Sequence, residues 1–215
     1  LDTTAALPAH RCWVITGHGA DAVESAIAGS KARAVRQEPQ RGTGHAVQQV
    51  VPHLDQEGTT LILNGDVPLI AAATAQALAD ACGGSRLALL TIVLPDATGY
   101  GRIVREGGQA DGAGTGSTAG AVLGIVEHKD ATPAQRQIRE VYTGMMAAPT
   151  ALLKRWVMAL TDDNAQREFY LTDIVAMAVA EGVPVVASQA ADETEVLGVN
   201  SPLQLADLER RFQRR

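Results

Sequence analysis

Lysine is scarce in this sequence: Lys31, Lys129 and Lys154 stand beside fifteen arginines. The formal net charge is −6, which argues against broad nucleic-acid binding, because readers of the phosphate backbone carry a basic face. Cysteine is sparse too. Cys12 falls in an expected strand and Cys82 at an expected helix end, without metal-ligand spacing, so both read as reduced structural thiols. No apolar stretch approaches the roughly 20 residues of a membrane helix, and Leu1-Asp2-Thr3-Thr4 lacks the basic-then-apolar order of a signal peptide. A soluble protein without membrane insertion, cytoplasmic by default, is expected. The five histidines show no metal spacing, and no nucleophile elbow is present to begin a Ser-His-Asp arrangement.

What is present suffices for a core. A chain of 215 residues with 46% hydrophobic content suits one α/β domain spanning 1–215, with no convincing linker and no internal repeat. Strands are expected over Arg11–Thr16, Ala32–Arg36, Thr59–Leu63, Leu87–Leu94 and Val183–Ser188. Helices are expected over Ala20–Ala28, from Thr43, over Ala71–Ala81, Pro149–Leu160 and Leu171–Glu181, and from Pro202. This alternation predicts a doubly wound, mostly parallel, Rossmann-like sheet covered by helices. From Tyr100 to Met146 strands separated by Gly-rich turns predict a smaller antiparallel excursion. Within it, Gly107–Gly120 holds six glycines among small polar residues and reads as a flexible hairpin tip, since it cannot bury enough apolar surface to order itself.

Two segments have the chemistry of a site. Leu61-Ile62-Leu63-Asn64-Gly65-Asp66-Val67-Pro68-Leu69 places a carboxylate just beyond a buried strand, where open α/β sheets bind ligands. Gly65 permits close backbone approach, and Asp66 offers a hard oxygen to Mg²⁺, which takes few carboxylates plus substrate phosphates. The alternative is a turn in which Asp66 caps the next element. Gln37-Glu38-Pro39-Gln40-Arg41-Gly42-Thr43-Gly44-His45 is a polar loop entering a helix, where free N–H groups suit an anion and Gln37 could bond both ways to a pyrimidine edge. A plain helix entry with Thr43 as N-cap explains the same residues. Gly17-His18-Gly19-Ala20-Asp21 lacks the third glycine of a dinucleotide fingerprint and reads as a strand-to-helix turn.

Taken together, these segments resemble one family far more specifically than any does alone. The quoted stretches, with Thr98-Gly99-Tyr100-Gly101-Arg102-Ile103, Ile125-Val126-Glu127-His128-Lys129-Asp130-Ala131, Asn164-Ala165-Gln166, Tyr170-Leu171-Thr172-Asp173-Ile174 and Gly198-Val199-Asn200, occur in that family's order across nearly the whole chain. The sequence resembles the uridyltransferase domain of the bacterial bifunctional N-acetylglucosamine-1-phosphate uridyltransferases and glucosamine-1-phosphate acetyltransferases. The resemblance implies a nucleotide-diphospho-sugar transferase fold, UTP and N-acetylglucosamine 1-phosphate as substrates, and a product used for peptidoglycan and lipopolysaccharide precursors. It implies that Gln37, Gly42 and Thr43 contact uracil, that Asn64, Gly65 and Asp66 line the nucleotide and metal, and that Gly101, Glu127 and Asn200 contact the sugar. Asp66 and Asn200 would hold Mg²⁺, with Asp66 the catalytic residue.

Two positions depart from the family's pattern: Asn64 stands where Tyr is frequent, and Tyr142 where Asn is frequent, which leaves Tyr142 open as a sugar contact. Lys129 and Asp130 read equally as a local ion pair or as site residues. The family's first strand, its Gly-rich loop and a phosphate-contacting Lys lie outside this sequence, and so does the C-terminal β-helix that carries acetyl transfer and trimer contacts. The scarcity of Lys agrees with that. The expectation is therefore an N-terminally truncated domain whose neighbouring apolar strands have open edges, with weak turnover or nucleotide-sugar binding alone as the alternative to full activity. A related transferase with another nucleotide or sugar is the remaining alternative.

Overall fold

The computed structural model describes residues 1–107 and 120–214. Most of the expected hairpin tip within Gly107–Gly120 lies outside the described residues. A short helix α1 (Asp2–Ala5) precedes β1 (Trp13–Thr16), α2 (Ala20–Ile27), β2 (Arg33–Arg36) and α3 (Thr43–Val50). There follow β3 (Thr59–Ile62), α4 (Ala72–Cys82), β4 (Leu87–Val93), β5 (Arg102–Arg105), β6 (Val122–Val126) and β7 (Glu140–Pro149). The chain closes with α5 (Thr150–Met158), α6 (Asp173–Ala180), β8 (Val185–Gln189) and α7 (Pro202–Gln213).

Local chemistry sets the boundaries. The turn Gly17-His18-Gly19 links β1 to α2, and Gly19 takes φ 68°, a left-handed conformation that a side chain resists. Helix α4 stops where Gly83 turns left-handed at φ 53°. Ser201 caps α7 by accepting from Gln204 N at 3.3 Å, with Pro202 in the first turn where its missing N–H costs nothing.

The main sheet runs β6-β5-β7-β4-β8, with β3 paired to the same long strand β7. Here the expectation of a mostly parallel sheet needs correction. Of the five pairings, only β4 with β8 is parallel; β3–β7, β4–β7, β5–β6 and β5–β7 are antiparallel. The cause is β7, which arrives from the antiparallel excursion and inserts between β3 and β4, so two strands that run the same way each meet it in reverse. The sheet is mixed, and helices cover both faces.

Alternation along the central strands builds two cores. Leu87, Leu89, Tyr142, Met146 and Ala148 face one way, against Val47 and Val50 of α3, Leu153, Trp156 and Val157 of α5 and Ile174 of α6. Ala88, Leu90, Ile92, Val141, Met145 and Ala147 face the other way, against Ala75, Leu78 and Cys82 of α4. Strands β1 and β2 form a separate parallel pair, joined to the first core through Trp13, Ile15 and Val35. Among the described residues β1 pairs only with β2 and β3 only with β7, so each keeps one open edge.

Candidate functional site

Strand β3 ends at Ile62, and the chain turns through Asn64, Gly65 and Asp66 into solvent. The backbone carbonyl of Asp66 accepts from Val199 N at 2.8 Å, which brings the segment Gly198-Val199-Asn200 alongside. A Cβ at Gly198 would lie 3.3 Å from Asp66 Oδ2 and 3.8 Å from Asn200 Nδ2, so the two side chains flank the same glycine. Neither the Asp66 carboxylate nor the Asn200 side-chain amide takes part in a hydrogen bond among the described residues. Capping does not account for Asp66, because α4 begins at Ala72 with Ala71 as its N-cap and no side-chain cap. Asn64, Asp66 and Asn200 line one cavity of about 810 Å³ with Thr98, Gly99, Tyr100 and Thr143.

This donor set fits Mg²⁺. One carboxylate and one neutral amide oxygen leave most of an octahedral shell to water and phosphate, the arrangement this ion prefers. Among the described residues no group of three or more His, Cys, Asp or Glu could hold a metal alone.

A second group forms around Gly101. Tyr142 N donates to Gly101 O at 2.9 Å, locking the end of β5 to β7. A methyl at position 101 would come within 2.8 Å of Ile125 Cγ2 and 3.5 Å of both Glu127 carboxylate oxygens, so only glycine leaves the backbone open there. Thr172 Oγ1 donates to Glu127 Oε1 at 2.9 Å. Burial pushes the Glu127 carboxyl up; the Thr172 bond opposes this, and the negative charges of Asp173 and Asp130 reinforce it. Asp173 is likewise raised, by burial first and then by Asp130. The Tyr142 hydroxyl is buried without a hydrogen-bond partner among the described residues. Asp130 accepts from Ala165 N and Tyr170 Oη rather than pairing with Lys129, which removes the local ion pair as its explanation.

Glu127 gives a pH prediction. A raised carboxyl binds its proton more tightly in the folded state, so ionisation costs stability as pH rises above the ordinary value of 4.5 and through the elevated one. Glu127→Gln is therefore expected to raise the melting temperature at pH 7.5, with the gain disappearing below about pH 4.5. Thermal melts of both proteins across that range check this.

The third group surrounds Gln37. Gly42 is the N-cap of α3 at φ 102°, ψ 174°, and a Cβ there would meet Phe169 O at 2.7 Å. Thr43 is not the cap: its Oγ1 accepts from Leu171 N at 3.1 Å and ties the helix entry to the segment that carries Thr172. Gln37 does not bond both ways outward, because its Nε2 donates inward to Gly42 O at 2.9 Å. Gln37 lines a separate depression of about 730 Å³ with Gly17, Gly19 and Arg36.

The second and third groups are joined through Thr43–Leu171 and Thr172–Glu127, and Asn64 Nδ2 donates to Thr143 O at 3.3 Å beside Tyr142, although the cavity at Asp66 does not itself include Gln37, Gly42, Thr43, Gly101 or Glu127. A family model described as a MobA-like NTP transferase domain matches residues 1–170. The chain belongs to this NTP transferase family. It is 68% identical to the bifunctional protein GlmU of Methylibium petroleiphilum over 219 residues, covering all of this chain and 46% of that protein. Against GlmU of Paracidovorax citrulli it is 59% identical over 217 residues, covering 99% and 44%. The chain thus spans about half the length of these curated relatives. Among solved structures, a nucleotidyl transferase from Methanothermobacter matches with a TM-score of 0.59 at 20% identity, covering 99% of this chain and 79% of that one. A CMP:2-keto-3-deoxy-manno-octonic acid synthetase complexed with CTP matches at 0.66 and 15% identity, covering 99% and 85%. At these identities the structures speak for the NTP transferase fold alone.

Sequence reasoning passed over His45 and Gln49, which contact the Gln37 network, and the cavity-lining residues Tyr100, Glu193, Asp207, Arg210 and Arg211. The i, i+4 spacing of His45 and Gln49 on one helix face was the available signal. Arg210 and Arg211 gave none beyond their place on the last helix.

Proposed function

We propose that this domain transfers a uridylyl group from UTP to N-acetylglucosamine 1-phosphate, giving UDP-N-acetylglucosamine and pyrophosphate. The observation that carries the reading is the convergence of Asp66 and Asn200 on Gly198 at the end of β3, within reach of substrate from the cavity. The sugar phosphate is already anionic, so its oxygen attacks the α-phosphorus without a protein base. The new O–P bond forms as the bond from the α-phosphorus to the bridging oxygen breaks, and pyrophosphate carries that electron pair away. The protein's part is alignment, and among the described residues no His or Cys lines the cavity at Asp66.

Asp66 and Asn200 would hold Mg²⁺, which when bound neutralises charge on the phosphates. Gln37, Gly42 and Thr43 take the uracil, Asn64 and Gly65 flank the nucleotide, and Gly101, Glu127 and Asn200 take the amino sugar, with the product feeding cell-wall precursors in the cytoplasm. Tyr142 belongs to the sugar end, where its buried hydroxyl has no hydrogen-bond partner among the described residues. No described helix is long and apolar enough to cross a membrane.

One observation favours a second reading, nucleotide-sugar binding with little turnover. The cavity sets Asp66, Glu193 and Asp207 against Arg210 and Arg211, and Arg211 is already paired to Asp207 at 2.9 Å, so little positive charge is spare for a triphosphate. Pyrophosphate release from UTP plus N-acetylglucosamine 1-phosphate, with Mg²⁺ and with chelator, separates the two. Metal-dependent release supports transfer, whereas binding of UDP-N-acetylglucosamine without release supports the second reading. Equal release with CTP or GTP would point to another nucleotide.

A further inference from the structure

Gln37 sits at the end of β2, and its side-chain nitrogen is held twice from within the protein. Nε2 donates to Gly42 O at 2.9 Å and lies 3.0 Å from His45 Nδ1. A carbonyl oxygen only accepts, so the nitrogen must face Gly42; turning the amide end for end would set Oε1 against that carbonyl. The second amide proton then points at His45 Nδ1, which accepts it when the ring proton sits on Nε2. One hydrogen bond fixes where the nitrogen is, and two fix the plane of the amide. With both protons directed inward, Oε1 accepts no hydrogen bond among the described residues.

We propose that His45 is a positioning residue that holds Gln37 as a pure acceptor toward the base and so sets the preference for uracil over cytosine. The inference rests on the preceding reading that Gln37 meets the nucleotide base. Uracil carries an N–H at ring position 3 and can donate to Oε1. Cytosine carries a lone pair there, and acceptor faces acceptor. The same oxygen tolerates any pyrimidine with a proton at that position, so discrimination arises from the orientation of the amide and not from the mere presence of glutamine.

The surroundings keep His45 fit for this. Acceptance at Nδ1 requires the neutral tautomer with its proton on Nε2. That nitrogen lies 3.2 Å from Gln49 Nε2, which one turn along α3 is anchored by donating to His45 O at 3.1 Å. Two amide nitrogens therefore face the ring and it can accept from only one; the approach from Gln37, at 3.0 Å, is the shorter. Burial, and secondarily the charge of Arg41, holds the imidazole below its ordinary value of 6.5, which favours the neutral ring with one accepting nitrogen at neutral pH. Phe169 backs the ring at 6.1 Å between centroids, and the Arg41 guanidinium caps Phe169 at 4.8 Å. Phe169 N in turn donates to Arg41 O, so the wall behind His45 is itself braced.

The test compares the 215-residue chain with His45→Leu, which removes the acceptor, and His45→Asn, whose Oδ1 stands near the position of Nδ1. Affinities for UTP and CTP are measured by calorimetry with Mg²⁺, with circular dichroism to confirm the fold of each variant. In parallel, ¹⁵N spectra report the imidazole tautomer and the proton exchange of the Gln37 side-chain amide. The expected result is a preference for UTP that falls on the order of tenfold in His45→Leu and is retained in His45→Asn. The Gln37 amide should exchange slowly in the parent and fast in His45→Leu. An undiminished UTP preference in a folded His45→Leu, or an Nδ1-protonated imidazole in the parent, overturns the inference. If the parent binds neither nucleotide, the reading of Gln37 as a base contact fails, while the amide-exchange comparison still decides whether His45 holds Gln37.

Discussion

Asp66→Ala is expected to lower Mg²⁺-dependent uridylyl transfer by about 10³-fold, the rate equivalent of the several kcal/mol that a positioned metal contributes to charge stabilisation. Asp66 is exposed and its carboxylate takes no hydrogen bond among the described residues, so its removal is expected to leave unfolding free energy within about 0.5 kcal/mol of the parent. That separation makes the substitution informative, because loss of function cannot be attributed to loss of fold. Asn200→Ala should cost less, since a neutral amide oxygen contributes less than a carboxylate to a hard cation, and should raise the Mg²⁺ concentration needed for half-maximal binding. Both are read by pyrophosphate release and, independently of turnover, by the Mg²⁺ dependence of UTP affinity. Metal-dependent affinity that survives Asp66→Ala would place the cation elsewhere in the cavity.

The sequence makes these residues visible for a physical reason. A carboxylate immediately after a short apolar run has few places to be except the rim of a sheet, and Thr59–Ile62 followed by Asp66 is built that way. The helices were legible for similar reasons, since Gly83 and Ser201-Pro202 mark ends that local chemistry alone imposes. The order of strands was not. Nothing in Glu140–Pro149 says that it will lie between Thr59–Ile62 and Leu87–Val93, because an apolar run encodes burial on both faces and not the direction of its neighbours. Thr43 shows the same limit at the level of one side chain. A Thr at a helix start suggests a cap, but a partner 128 residues away took the hydroxyl. His45 was legible only as the last residue of a polar loop entering a helix and as a histidine with no metal spacing. Its role depends on the inward turn of the Gln37 amide, which no local pattern announces.

Glu140→Ala is expected to cost about 3–5 kcal/mol of folding free energy, the range for removing one partner of a buried ion pair. Glu140 opens β7, and its carboxylate accepts from Arg105 Nε at 2.7 Å and Nη2 at 2.8 Å, with Thr91 Oγ1 donating at 3.0 Å. The side chains of Glu140 and Arg105 are only 6% and 11% exposed, so the loss strands a guanidinium with little access to water. Glu140→Gln keeps the volume and one accepting oxygen and should lose less. The pair also bears on the site, because Arg105 lies on the strand that starts just after Gly101, and Glu140 lies two residues before Tyr142. Loosening this clasp frees β5 from β7 at the sugar end while leaving the Gln37 loop untouched. Chemical denaturation measures the stability change. Titration with UTP and with N-acetylglucosamine 1-phosphate should find affinity for the sugar phosphate reduced more than affinity for the nucleotide. Equal losses for both would mean that the clasp serves the whole domain rather than its sugar end.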